Sequence, residues 1–270
     1  MKKLLALLAA LCLPLSLAAC GGVIDIPAEE ETPWEPFPYT LVSGGGYDDE
    51  TAAEDGTLVC TCHHEIPAIA AEGELSPAQQ ATVEHFTAAM EEILAGSRLL
   101  YDDLRETALT DYDYYTQLGL EWSGCYTDEM TYTAVTGERA ISLDFAGYTN
   151  AGGPHPGVGS VGYLFDLEAA ELVGLDAITD DDGTAFRAAV AEELLRQIAE
   201  QGLAEVYYED YEATARAQEE VEYFFHKDVL TVYFPNYTLG PHTVGYPSFE
   251  IPAECYLSAL NERGQRLLAF

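Results

Sequence analysis

The spacing of apolar residues changes along this chain, and that change constrains the fold most. Ser76-Pro77 supplies a good N-cap followed by a proline suited to a first helical turn, and Val83, Phe86, Met90, Ile93 and Leu94 then recur at helical spacing. A second helical stretch is expected from Arg98 to about Tyr112. Beyond it the period falls to two: Leu118, Leu120 and Trp122 alternate, as do Ile141, Leu143 and Phe145, with Gly137 between the two strands of a hairpin. Further strands are expected at Thr57 to His64 and Gly157 to Asp166. A helix carries Phe186, Val190, Leu194 and Ile198 on one face, and another covers Ala204 to Gln218. A hairpin turns at Lys227-Asp228, and a strand at Ser248 to Ile251 leads into a terminal helix from Pro252. Strands that meet mostly through short turns, interspersed with helices, imply an α+β fold: an antiparallel β-sheet packed with several helices. The run Asp180-Asp-Asp-Gly183 resembles part of a calcium loop, but its glycine comes too early and the distal glutamate is missing, so helix capping accounts for it better.

The N-terminus sets the compartment. Lys2 and Lys3 precede an apolar run, Leu4 to Leu17, too short for a good membrane span, which ends in Leu17-Ala18-Ala19-Cys20. This is the pattern of a bacterial lipobox: residues 1–19 read as a signal peptide and Cys20 as the lipidated first residue of a membrane-anchored protein facing outside. Residues 20–56 hold four prolines, Gly44-Gly45-Gly46 and acidic clusters, and read as a flexible, disordered lipoprotein tether. No later apolar stretch is long enough to span a bilayer.

The formal net charge is −36, and Lys227 is the only lysine outside the N-terminal pair. That excess of acid excludes nucleic acid as a partner, since phosphates need cations, and favours cationic partners. Of six cysteines, Cys12 leaves with the signal and Cys20 takes lipid. Cys60, Cys62, Cys125 and Cys255 remain as disulfide candidates or free thiols. Cys60-Thr-Cys-His-His-Glu65 invites a zinc reading, but its spacing is not that of structural zinc sites, and thiols or disulfides are preferred.

Two stretches carry a family likeness. One is Leu143-Asp-Phe-Ala-Gly-Tyr-Thr-Asn-Ala-Gly-Gly-Pro-His-Pro156; the other is Val229-Leu-Thr-Val-Tyr-Phe-Pro-Asn-Tyr-Thr-Leu-Gly-Pro-His-Thr-Val-Gly245, followed by Phe249-Glu-Ile-Pro252. Together they resemble the motifs of the RsiV-like extracytoplasmic module, which pairs domain-of-unknown-function families 4163 and 3298. The resemblance implies a 4163-like part over 57–155 and a 3298-like part over 156–270, within one globular unit. Sensors of this kind carry a membrane helix and a cytoplasmic segment, and related deacetylases carry a catalytic domain; here the likeness covers the outer module alone.

Function then turns on the stiff bends. Gly152-Gly153 permits backbone angles closed to other residues, while Pro154 and Pro156 lock theirs, so His155 sits on a rigid turn. His155 reads first as hydrogen-bonded across that turn; a metal site would need partners, and His242 in the other motif loop is the one named. The docking surface expected comprises Tyr148, Asn150, Gly152, Gly153, His155, Pro235, Tyr237, Pro241 and His242, tyrosine offering contact area at low entropic cost. No hydrolase or deacetylase motif is recognised, so no catalytic residue, metal or cofactor is assigned. The resemblance implies a cationic muramidase such as lysozyme, or peptidoglycan, as partner. The alternative is an accessory protein of a cell-wall hydrolase or deacetylase.

Overall fold

The computed structural model describes residues 34–122, 124–219 and 221–269; the signal peptide and Cys20 lie outside them. The α+β expectation holds. β1 (Tyr39–Ala52), β2 (Leu58–Ala71), β3 (Tyr126–Thr136), β4 (Ala140–Asn150), β5 (Gly157–Asp166) and β6 (Glu171–Val173) form one sheet in chain order. Neighbours pair antiparallel except β2 and β3, which run parallel because α1 (Pro77–Gln117) carries the chain back between them. Among the described residues no helix is long and apolar enough to cross a membrane.

The expectation of two helices is corrected to one of 41 residues. Nothing between Ser76 and Leu118 breaks it, Gly96 being tolerated at a cost of about 1 kcal/mol. Its start is fixed by a capping box: the Ser76 hydroxyl accepts from the Gln79 amide, and the Gln79 side chain accepts from the Ser76 amide at 2.9 Å. The helix buries two separate patches. Phe86 and Met90 join Ile141, Leu143, Phe145 and Phe165 in one core, while Tyr101, Ala108 and Tyr112 join Val59, Cys60, Cys62 and Tyr126 in another. The Leu118 to Trp122 alternation forms no strand; the helix ends there and β3 begins at Tyr126. Trp122 instead meets Tyr112 and Tyr115 edge-on and lies tilted against Tyr126.

Residues 34–56 are not tether. β1 lies at the sheet edge, pairs along β2, and its outward residues carry the acid that suggested a linker. Asp49 is held by the Tyr101 hydroxyl at 2.6 Å. Gly44-Gly45-Gly46 is a β-bulge: the register shifts between Ser43 and Gly46, and Gly45 adopts φ +100°. A Cβ on Gly44 would meet the Pro67 carbonyl carbon at 2.7 Å. The triplet therefore serves close strand approach.

After β6 come α2 (Leu175–Ile178) and α3 (Thr184–Gln201); the N-cap of α3 is Gly183, with no side-chain cap bond, and Asp181, two residues before it, accepts from the Ala185 amide at 2.8 Å. The helix expected over 204–218 is a short 3₁₀ turn at Ala204–Val206 and α4 (Tyr211–Ala217). β7 (Glu222–Phe225), β8 (Val229–Tyr233) and β9 (Ser248–Pro252) make a second antiparallel sheet, and α5 (Ala253–Tyr256) and α6 (Glu262–Leu267) close the chain. α3 packs Phe186, Val190, Leu194 and Ile198 with Phe225, Leu230, Val232 and Ile251.

β4 links the layers. Its odd residues Ile141, Leu143 and Phe145 face α1, while Ser142 and Asp144 face the small sheet, bonding the Phe225 amide and the Tyr233 hydroxyl. The 155/156 division falls in the turn between paired strands β4 and β5, and the fold from Trp34 onward is one compact unit.

Candidate functional site

The two motif loops meet. The β4–β5 turn opens with Asn150, whose side-chain oxygen accepts from the Gly152 amide at 3.1 Å. Gly152 has φ +72° and lies under Tyr126, where a Cβ would stand 2.6 Å from the ring. His155, beyond it, is exposed. Among the described residues no hydrogen bond ties His155 across its own turn, which corrects the first reading. Its ring instead lies on His242, centroids 3.8 Å apart and planes 32° apart. His242 begins the 3₁₀ turn His242–Val244, preceded by Pro241. Tyr237, at φ +68° and 57% exposed, stands 5.7 Å from it. His155, Tyr237 and His242 are thus brought together; Gly153 borders open space, and Tyr148 lies exposed on β4 before the turn.

Beside this contact a groove of about 850 Å³ runs between α1 and the β3–β4–β5 surface. Small residues on both sides create it: Ala89, Gly96 and Ser97 on the helix, Gly147, Gly157 and Gly159 on the sheet. It occupies the gap between the two core patches of α1. Pro235 and Tyr246 line it, joining it to the second motif loop. Glu92, Asp128, Glu129 and Glu222 also line it, with His64 and no lysine or arginine.

One wall is an incompletely paired strand. β6 covers β5 only at Leu164 to Asp166. Before that the Tyr246 hydroxyl donates to the Ser160 carbonyl and accepts from its amide at 2.8 Å, and Glu222 accepts from the Gly162 amide at 3.2 Å. Val158, two residues earlier, turns its backbone groups outward in the same way. Behind Ser160, Asp144 accepts from both its hydroxyl and the Tyr233 hydroxyl. Burial, with Asp144 adding to it, raises the Glu222 carboxyl above the usual range, and burial with the same carboxylate pushes Tyr233 up to about 12.

Next to the β4–β5 turn, where Asp128 pairs with Thr149, sits a cluster that sequence spacing could not assemble. Cys62 and His64 point the same way from β2, and the parallel register sets Asp128 opposite Cys62. One donor atom from each of the three lies within 4.8 Å of the others. His64 Nε2 is 2.8 Å from Asp128 Oδ2, and Thr149 donates to Asp128 Oδ1 at 2.7 Å. His64 is 1% exposed, and its Nδ1 has no partner. Burial first, then the Asp128 charge, pushes the Cys62 thiol up to about 12, and burial raises Cys60 to about 11. The four cysteines offered for disulfides are all free thiols: Cys60 and Cys62 face α1, whereas Cys255 borders the core of the small sheet.

The second motif loop lies within a stretch that matches a family model. Residues 176–254 match DUF3298, a protein of unknown function. The DUF3298 match takes in Glu222, Pro235, Tyr237, Pro241, His242 and Tyr246; the Cys62 cluster and His155 lie before it. The chain is also similar to a DUF3298 family member from Bacteroides fragilis, with 13% identity and a TM-score of 0.63 over 85% of this chain and 96% of that one. A DUF3298 family protein from Pseudomonas aeruginosa aligns at 13% identity and a TM-score of 0.48, over 84% and 96% of the respective chains. The first likeness shows a shared fold extending beyond the DUF3298 residues. No curated protein matches the chain.

Proposed function

We propose that this protein is a lipid-anchored, extracytoplasmic binding module that seats part of a cationic partner in the groove beside the stacked His155 and His242. The observation that carries the reading is the groove's lining, which combines an apolar, glycine-built floor with four carboxylates and, among the described residues, no lysine or arginine. Opposite charge speeds encounter and selects partners, and the part of β5 that β6 leaves uncovered offers an extended segment somewhere to bond. The reading is of binding, and the Cys62 thiol, pushed up to about 12 by burial, is a poor nucleophile on its own. Through the RsiV-like resemblance, the partner is a cationic muramidase such as lysozyme, with peptidoglycan as the cell-wall alternative.

Titration calorimetry with lysozyme at low and moderate salt tests this. Binding should weaken as salt rises, and Glu129→Gln with Glu222→Gln should weaken it further. No heat at either salt removes lysozyme, and co-sedimentation with purified peptidoglycan then decides the alternative.

A further inference from the structure

We propose that Cys62, His64 and Asp128 form a metal site of the zinc class that opens onto the groove. The three come from adjacent strands, their side chains share one face, and a donor atom of each lies within 4.8 Å of the other two. His64 gives the independent pointer. It is buried, its Nε2 is engaged by Asp128, and its Nδ1 is one of few buried side-chain atoms among the described residues with no partner. A cation bound at Nε2, in place of the proton shared with Asp128, would lie among all three donors. Thr149 fixes the Asp128 carboxylate as an outer-shell partner does in metal sites.

The donor set selects the ion. Thiolate, imidazole and carboxylate together suit zinc and its borderline-soft neighbours, whereas calcium and magnesium take oxygen. Three protein ligands are one short of a closed structural site. His64 and Asp128 line the groove while Cys62 lies behind them, so the remaining position faces the groove. Binding forms a metal–sulfur bond and releases the thiol proton to solvent; no oxidant or reductant is involved. The site is distinct from the exposed cluster next to it, where His63 contacts Asp48 at 2.7 Å and Glu65 at 3.3 Å.

The test uses the full chain, reduced and stripped with a chelator. It is titrated with Zn²⁺ against a chromophoric competitor, and with Co²⁺ by absorbance. One Zn²⁺ per chain should bind, and the Co²⁺ form should show a thiolate-to-cobalt charge-transfer band. Cys62→Ser should abolish the band and weaken Zn²⁺ by more than the roughly 10–100-fold typical of outer-shell losses. Asp128→Asn should also weaken it, while Cys255→Ser and His63→Gln leave both readouts unchanged. Absence of the band in the unmutated chain overturns the proposal without recourse to any variant. So does Zn²⁺ binding that survives Cys62→Ser at full affinity or disappears with His63→Gln.

Discussion

Gly162 lies against the backbone of Tyr223, so close that a Cβ on it would overlap the Tyr223 carbonyl oxygen. This contact joins β5 of the large sheet to β7 of the small one, and the Glu222 side chain bonds the Gly162 amide at the same point. The wall of the groove that carries Glu222 is therefore held by backbone meeting backbone.

Gly162→Ala should destabilise the protein by about 1–3 kcal/mol, the usual cost of overpacking, because no flexible side chain is there to yield. Urea unfolding should show a lower midpoint. Glu222 should gain exposure and lose its raised carboxyl pKa as β7 shifts.

The periodicities that placed β4, α3 and the β7–β8 hairpin in the sequence succeed because each buries a regular face: Ile141, Leu143 and Phe145 on one side of β4, Phe186 to Ile198 on α3. β1 is illegible for the opposite reason. As an edge strand it exposes most of its residues, so its acid and its glycine bulge look like a linker. The meeting of the two motif turns is half legible. Gly152 and the prolines announce stiff turns, but the 3.8 Å stacking of His155 on His242 depends on how the two sheets dock. Asp128 carried no signal at all, since its neighbour Cys62 is set by the parallel register that α1 imposes.

Glu222 makes stability depend on pH. Its carboxyl pKa in the folded protein is raised, by burial first, so the folded state holds a proton more tightly than the unfolded chain does. The stabilisation is complete below the ordinary carboxylate pKa and is lost as pH rises through the raised value. Glu222→Gln, which keeps an oxygen for the Gly162 amide, should gain stability relative to the parent across that window. Thermal melts from pH 4 to 8 should show the two converging at the acid end, about a carboxylate's ordinary pKa.

Asp166 ties the C-terminus to the large sheet. It is buried, accepts from Arg263 at 2.7 and 2.9 Å, and accepts from the Glu168 and Ala169 amides at 3.0 Å. Arg263→Met leaves the carboxylate with the two amides alone. The expected cost is about 3 kcal/mol, the low end for breaking a buried pair. Asp166→Asn in the same background should recover part of it, as a double-mutant cycle by chemical denaturation would measure.

Tyr246 is the plug of the open β5 edge. Its hydroxyl serves both backbone groups of Ser160, which is buried, and its ring stacks on Tyr233 at 5.7 Å. Tyr246→Phe keeps the ring and removes the hydroxyl, leaving a buried amide and carbonyl to water or to nothing. The cost should be about 1–3 kcal/mol. Its signature is local: the Ser160 amide should exchange hydrogen much faster than in the parent, while amides on β4, bonded within the sheet, slow or quicken only with global stability. Unchanged Ser160 exchange would mean that the edge is held by docking of the small sheet, with the hydroxyl incidental to it.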